Sequence, residues 1–327
     1  MINQLHLELQ ALRRRLLKGG RKAQQYLALP LPGCPRIRLA VGDDCLAVLL
    51  PAVAGYDLHN EDLENLRIRY NLSIVVQDEA VVRKEKVAIL ETRGSTEWLQ
   101  LTFLQVLASV LPSLGDATER EIAEVIRSLV EMFRALARPG KKNTEGLWGE
   151  LFVISQAGDP ELAAQCWHVT PHDRYDFSLE HYRIDVKTSS AGRSHHFSYT
   201  QVAPQDNVTI VIASVLTQAL PGGTSILDLL SQITARVASK NVSGNLTRTA
   251  METLGKGWEI GSTLEFDAQR AEHSLKWFDG EAIPKVLPPP AHVFEVAFRS
   301  DLQAVQDLEL GQLAKMGALG RAMAAKL

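Results

Sequence analysis

Hydrophobic residues recur along the chain at two spacings, and each spacing predicts its own kind of secondary structure. Leucines three or four positions apart near the start predict a helix over residues 2–27, which ends before Pro30. Short β-prone runs separated by turn residues then predict strands over 37–41, 45–50, 73–76 and 87–90. The run over 99–111 fits either a strand or a helix. We therefore expect a β-rich α+β domain over residues 1–116.

Further along the chain, helical and strand patterns alternate. Helices are predicted over 117–136, 144–156 and 225–239, with a short helix or loop over 194–206. Strands are predicted over 166–169, 175–178, 182–189 and 208–215. This alternation is typical of a sheet with helices on both faces, so we expect an α/β core over 117–240. Residues 241–327 are expected to form a mixed α/β extension, with a strand over 293–298 and a helix from 302 to the end.

Composition and charge narrow the class of protein. Among 327 residues, 46% are hydrophobic and 22% are charged, as in an ordinary folded protein. The formal net charge is -3, so a nucleic-acid site would need a local cluster of Lys and Arg. Cys34, Cys45 and Cys166 have neither disulfide nor zinc spacing. Because no signal peptide and no apolar run of about 18 residues is visible, we expect a cytoplasmic protein with no membrane partner.

Candidate chemistry begins in the predicted strand over 182–189. Alternate residues of a strand face opposite sides, so Asp185 and Lys187 lie next to each other on one face. If this strand forms a hairpin with the one before it, turning at 180–181, Phe177 faces Ile184 and Asp176 faces Asp185. Two carboxylates opposite each other are unfavourable alone, and a divalent cation between them would explain the arrangement. Glu-His is not a favoured two-residue turn, so other registers stay open.

A third carboxylate lies on the preceding predicted helix. Glu150 borders the apolar stripe of that helix, and the neighbouring Gly149 allows another element to approach closely. A carboxylate at the edge of a buried face needs a partner, and a metal ion or a metal-bound water would serve. Lys141 and Lys142, just before this helix, are interpreted as a solvated hinge, or else as the lining of a DNA groove.

These segments resemble the PD-(D/E)XK nuclease superfamily, and more narrowly a family of bacterial PD-(D/E)XK proteins that occur with restriction or phage-defence functions. The resemblance rests on residues 146–151, 175–177 and 184–189, with His195-His196-Phe197-Ser198 and Gln201 after them. It covers about residues 143–215 clearly. Tyr175 stands where the superfamily name has Pro, a position at which the superfamily commonly varies.

The resemblance implies a restriction-endonuclease-like core, with a mixed sheet flanked by helices, and cleavage of DNA with Mg²⁺ or with Mn²⁺ in its place. It implies that the metal ligands are Glu150, Asp176, Asp185 and the carbonyl of Val186. Lys187 would orient the attacking water or help to deprotonate it. Because cutting both strands usually needs two active sites, a homodimer or partner subunits of a restriction or defence system are expected.

Polar residues after Lys187 are candidate substrate contacts. They are Thr188, Ser189, His196, Ser198 and Gln201. For each, a structural hydrogen bond or a helix cap is the alternative, and His195 is interpreted as a packing residue. Three other interpretations of the site stay open: a hairpin with solvated charges, a non-catalytic subunit that binds DNA or a partner, and a hydrolase of a small phosphorylated molecule.

Overall fold

The chain divides into two compact units. One comprises Met1–Lys141 and Ser243–Ile260, and the other comprises Lys142–Val242 and Gly261–Leu327. The structure, a computed structural model, describes residues 7, 9, 11, 14, 26–31, 34–42, 45–52, 59–78, 81–94, 96–110, 118–140, 142–169, 173–203, 205–286 and 288–324. The predicted division of the chain into three domains, over 1–116, 117–240 and 241–327, stays a prediction.

Both units contain strands and helices. In chain order the strands are β1 (Leu27–Leu31), β2 (Cys34–Val41), β3 (Leu46–Pro51), β4 (Glu61–Asp62), β5 (Leu66–Asp78), β6 (Val81–Thr92), β7 (Phe177–Leu179), β8 (Tyr182–Ser189), β9 (Ser194–Ser198), β10 (Thr209–Leu216), β11 (Ala219–Ser225), β12 (Glu265–Phe266), β13 (Lys276–Asp279) and β14 (Ala297–Asp301). The helices are α1 (Glu97–Val110), α2 (Glu119–Ala135), α3 (Thr144–Gln156), α4 (Pro160–Cys166), α5 (Tyr199–Val202), α6 (Ile226–Arg236), α7 (Lys240–Leu254), α8 (Trp258–Gly261), α9 (Ala268–Ser274), α10 (Leu310–Leu313) and α11 (Gly317–Met323).

An antiparallel sheet forms the centre of the first unit. Its six strands have the order β1-β2-β3-β6-β5-β4. The predicted strands are confirmed, and the long hairpin of β5 and β6 extends beyond them because polar positions such as Arg67 and Glu91 also pair. The ambiguous run over 99–111 lies mostly in helix α1. Helix α2 begins at a capping box formed by Thr118 and Glu121, which satisfies two backbone N–H groups.

The second unit contains a mixed four-stranded sheet. Its strand order is β13-β10-β8-β7, in which β8 and β10 are parallel and both outer pairs are antiparallel. Helix α3 packs on β8 so closely that a Cβ on Gly149 would lie 2.1 Å from a methyl carbon of Thr188. A cluster of buried side chains on β9, β10 and β13, including Phe197, Ile212 and Phe278, completes the core. The predicted α/β fold with a mixed sheet flanked by helices is confirmed.

Four predicted elements differ from the observed ones. The segment over 194–206, predicted as a loop or short helix, begins with strand β9 and continues into helix α5. The strand over 166–169 is wrong, because helix α4, which Asp159 caps and Pro160 begins, extends to Cys166, and Trp167 then forms one isolated bridge with Phe177. The long helix from 302 to the end is wrong as well, because Gly317, with φ of +67°, separates α10 from α11. The strand predicted over 293–298 lies later, at β14, where it pairs with β9.

Most of the helix predicted over 2–27 lies outside the described residues. Of that segment, Leu7, Leu9, Ala11 and Arg14 are helical, and Leu27 already belongs to β1. No helix in the described ranges combines the length and the apolar character needed to cross a membrane.

Candidate active site

Three neighbouring elements of the second unit carry the predicted acidic residues. Glu150 lies on helix α3, Asp176 directly precedes β7, and Asp185 lies on β8. Their exposed fractions are 2%, 4% and 3%, which is unusual for carboxylates unless they are paired or bind metal. The predicted hairpin register is confirmed, since Phe177 pairs with Ile184. Glu180 adopts a φ of +49° in the turn, which is how this unfavoured turn sequence is accommodated.

Lys142 bridges two of the carboxylates. Its Nζ lies 2.5 Å from Oε1 of Glu150 and 2.5 Å from Oδ1 of Asp176. Lys142 immediately precedes Asn143, which caps helix α3 through the N–H of Gly146. The start of the helix therefore brings an ammonium group to the acidic cluster, and the interpretation of Lys142 as a solvated hinge residue is corrected.

Two ring nitrogens contact the other oxygen of Glu150. The indole Nε1 of Trp167 donates to Oε2 at 2.9 Å, and Nε2 of His168 lies 2.9 Å from the same oxygen. His168 has a φ of +43°, and its backbone N–H donates to the carbonyl of Asp176. This bond places the backbone of His168 beside the carboxylates, and Nε2 of its ring lies 3.9 Å from Oδ1 of Asp176.

Asp185 and Lys187 form a second cluster on β8. Nζ of Lys187 lies 2.7 Å from Oδ2 of Asp185 and 5.3 Å from the ring centre of Phe197. Gln201 donates to Oδ1 of Asp185 at 3.3 Å. The Oε1 atom of Gln201 accepts from Nζ of Lys187 at 3.4 Å and from the N–H of Ser198 at 3.0 Å. Helix α5 thus fixes the amide that orients both charged groups.

Among the described residues, a backbone N–H of β8 links the two clusters. Oδ2 of Asp176 accepts from the backbone N–H of Val186 at 2.7 Å. Because Val186 lies between Asp185 and Lys187, this bond connects Asp176 to the part of β8 that carries both residues. The four predicted catalytic side chains therefore belong to one connected site, although Asp185 and Lys187 pair with each other rather than with Glu150.

Burial and charge set the protonation of the site. Burial, followed by the charges of Glu150 and Asp185, raises the pKa of Asp176. Burial also raises the pKa of Asp185, although Lys187 opposes it. Burial would raise the pKa of Glu150 too, but the hydrogen bond from His168 and the charge of Lys142 lower it below its ordinary value. For Lys142, burial is outweighed by Asp176 and Glu150, which raise its pKa.

The donor set suits a divalent cation. Three buried carboxylates face the ammonium groups of Lys142 and Lys187, so the cluster has an excess of negative charge when all three carboxylates are ionised. Oδ2 of Asp185 accepts no hydrogen bond of acceptable geometry from the described residues, although Lys187 lies within ion-pair distance. One ligand atom each from Glu150, His168 and Asp176 lie within 4.8 Å of one another. Carboxylate oxygens are the ligands that Mg²⁺ and Mn²⁺ prefer.

The predicted substrate-contacting residues have different surroundings. Gln201 contacts both Asp185 and Lys187, whereas the Thr188 methyl group lies against helix α3 at Gly149. Ser189 accepts a hydrogen bond from the N–H of Ala191. Ser198 contacts the hydroxyl of Thr200 through its own hydroxyl.

The two neighbouring histidines of β9 face opposite sides of the strand. His196 is exposed, and because alternate residues face opposite sides, it lies on the other side from Phe197 and Lys187. His195 is buried and contacts the hydroxyl of Ser214 at 2.8 Å, as its interpretation as a packing residue predicts.

Sequence reasoning missed Lys142, Trp167 and His168. Their contacts with Glu150 depend on how the chain returns after helix α4, which no local spacing indicates. The one available signal was the placement of Lys142 two residues before the start of α3, where its side chain can reach past the first turn.

Comparison with known proteins identifies the family. No curated protein and no solved structure matches the chain. A family model described as "Putative PD-(D/E)XK family member (DUF4420)" matches residues 42–303, which is most of the chain. The matched range includes Glu150, Asp176, Asp185 and Lys187. The chain belongs to this PD-(D/E)XK family.

Proposed function

We propose that the protein is a metal-dependent nuclease that hydrolyses phosphodiester bonds of DNA. One observation carries the proposal: three buried carboxylates and the ammonium of Lys187 form one hydrogen-bonded site. Ionisable side chains that are buried, at a cost in desolvation, and are held by several partners mark functional sites more often than structural ones. Family membership supports nuclease chemistry, and the choice of DNA follows the resemblance.

Glu150, Asp176, Asp185 and the carbonyl of Val186 would hold Mg²⁺, or Mn²⁺ in its place. When bound, the ion lowers the pKa of a bound water and stabilises charge on the phosphoryl oxygens. Lys187 would hold the attacking water beside the scissile phosphate and stabilise negative charge there. Gln201 positions Lys187 by accepting from its ammonium group, and Ser198 fixes the Gln201 amide.

We further propose contacts beyond the reacting atoms. Thr188, Ser189 and Ser198 would contact the DNA backbone around the scissile phosphate, whereas His196, which faces away from Lys187, would contact DNA only outside it. Because a single site cuts one strand, a homodimer or partner subunits of a restriction or phage-defence system would supply the second cut. The cytoplasm, where such DNA would be met, is the proposed location.

A plasmid-cleavage assay with Mg²⁺ or Mn²⁺ tests the proposal. Wild type is compared with Asp185→Ala and Lys187→Ala, and Lys315→Ala serves as a control because that lysine is exposed. We expect both site variants to lose at least about 100-fold in cleavage rate, as with other preorganised catalytic groups. Lys315→Ala should cut like wild type.

Three other outcomes would each contradict the proposal in a different way. Wild type that binds DNA but does not cut it under any metal condition would favour the non-catalytic subunit. Activity confined to free nucleotides, with plasmid left intact, would favour a hydrolase of small phosphorylated molecules. Cleavage that survives both substitutions would place the chemistry elsewhere.

A further inference from the structure

The position between Glu150 and Asp176 attracts a cation. The ammonium of Lys142 contacts one oxygen of each carboxylate at 2.5 Å, although its side chain is still one-third exposed. The two carboxylates are almost fully buried, and few protein groups other than a cation stabilise such a pair. Lys142 therefore marks where positive charge is required.

A nitrogen ligand faces the same position. Nε2 of His168 lies 2.9 Å from Oε2 of Glu150 and 3.9 Å from Oδ1 of Asp176. The backbone N–H of His168 donates to the carbonyl of Asp176, which keeps the backbone that carries the ring beside the carboxylates. Ligand atoms of these three residues lie within 4.8 Å of one another, and small side-chain movements would bring them to one ion.

We propose that Glu150, His168 and Asp176 form a cation-exchange site, in which a divalent transition-metal ion displaces the Lys142 ammonium and binds Nε2 of His168. The inference rests on the proposed function, because that function requires a divalent ion at Asp176. It adds His168 as a metal ligand besides the carboxylates, and it makes Lys142 a competitor for the position of the ion.

Charge balance favours the exchange. With Lys142 in place, two ammonium groups face three carboxylates. A divalent ion together with Lys187 would carry three positive charges, which match the three carboxylates. Because Lys142 is one-third exposed and precedes the helix cap, its side chain can move to solvent without unwinding α3.

Ligand chemistry predicts which ion is favoured. Imidazole nitrogen suits first-row transition metals, whereas Mg²⁺ prefers an all-oxygen set. His168 would bind the ion through unprotonated Nε2, with its proton on Nδ1. The site should therefore prefer Mn²⁺ over Mg²⁺ more strongly than the carboxylates alone would.

Titration of Mn²⁺ followed by electron paramagnetic resonance tests the inference without any DNA. Wild type is compared with Lys142→Met, His168→Ala and the control His181→Ala, an exposed histidine of the same unit. We expect Lys142→Met to bind Mn²⁺ at least about 10-fold more tightly, because the competing charge is gone. We expect His168→Ala to bind about 10- to 100-fold more weakly, as with other supporting groups of metal sites, and His181→Ala to match wild type.

Two further measurements exclude a purely structural effect. Competition of Mg²⁺ against bound Mn²⁺ should show that His168→Ala loses selectivity for Mn²⁺, which misfolding would not produce. In wild type, Mn²⁺ should increase the labelling of Lys142 by an amine-reactive reagent, read by peptide mass spectrometry. This labelling keeps the test decisive if Lys142→Met fails to fold.

The inference and the proposed function can fail separately. Unchanged Lys142 labelling with Mn²⁺ bound, or His168→Ala with wild-type affinity and selectivity, would overturn the cation-exchange site even if the protein cuts DNA. Mn²⁺ binding that follows the expected order, with no cleavage of DNA, would instead contradict the nuclease and leave the site intact.

Discussion

Glu150 shows how much support one buried carboxylate needs. Lys142 contacts one of its oxygens, and Trp167 and His168 contact the other. Hydrogen bonds to charged groups contribute more to stability than those between neutral groups. The residues around Glu150 therefore stabilise the fold and also shape the site. Conservative substitutions can measure these two contributions separately.

Replacing Trp167 by Phe keeps the aromatic ring and removes the N–H that donates to Glu150. We expect the free energy of unfolding to fall by about 1.5–3 kcal/mol, because the acceptor is charged. Trp258→Phe is the matched control, since its indole donates to the neutral hydroxyl of Thr102 and should cost about 0.5–1.5 kcal/mol. Urea unfolding measures both, and equal losses would show that Glu150 is not charged in this environment.

His195 should make stability depend on pH. Burial, with the charges of Lys187 and Arg193, lowers its pKa to about 4. The unfolded chain takes up this proton near pH 6.5, before the folded chain does, so stability falls as pH drops from about 6.5 to about 4. The slope is at most about 1.4 kcal/mol per pH unit.

Urea unfolding of wild type and His195→Gln at several pH values checks this dependence. The difference between the two proteins isolates His195 from the carboxylates, whose titration both share. We expect wild type to lose stability faster than the variant between pH 6.5 and pH 4. Parallel curves would mean that His195 is protonated in the folded state.

At the scale of elements, the contact between α3 and β8 fixes where Glu150 lies. A methyl group on Gly149 would come within 2.1 Å of Thr188, so Gly149→Ala must push the helix from the strand. We expect a loss of about 1–3 kcal/mol in the free energy of unfolding. Gly244→Ala, in helix α7 with nothing within 4 Å, should instead stabilise by up to about 1 kcal/mol. Thermal unfolding compares the two, and a stabilising Gly149→Ala would contradict the close packing.

Elements were predictable from sequence where a local pattern decides them. Alternation along β8 and the pairing of Phe177 with Ile184 follow from one consistent apolar face. Helix α4 was not predicted, although Asp159 and Pro160 carry a helix-start signal, and the strand predicted over 166–169 overlaps its last residue. The side chains around Glu150 were not predictable, because His168 reaches it from 18 positions away through a backbone of positive φ.

At the scale of the whole molecule, the chain leaves the first unit and later returns to it. Ser243–Ile260 belongs with Met1–Lys141, and within this unit the indole of Trp258 donates to Thr102. The N–H of Lys256 donates to the carbonyl of Arg138. This return segment, Ser243–Ile260, therefore supplies part of the core of the first unit, and residues 1–141 alone lack it.

A pair of shortened chains tests this arrangement. Residues 1–141 alone should unfold without a cooperative transition, whereas residues 1–141 joined to 243–260 by a flexible linker of about 10 residues should fold. Urea unfolding followed by circular dichroism measures the transition in both. A cooperative transition in residues 1–141 alone would show that the return segment is dispensable.

The return segment also sets an order of events on the ribosome. The six-stranded sheet and helix α1 are synthesised early, but Trp258 emerges only after helix α3 and strand β8. At translation rates of about 5–20 residues per second, the helix that carries Trp258 is synthesised on the order of 10 s after the sheet. During that interval the surface around Thr102 lacks its cover, which makes this the stage of biosynthesis at which chaperone capture or aggregation should be greatest.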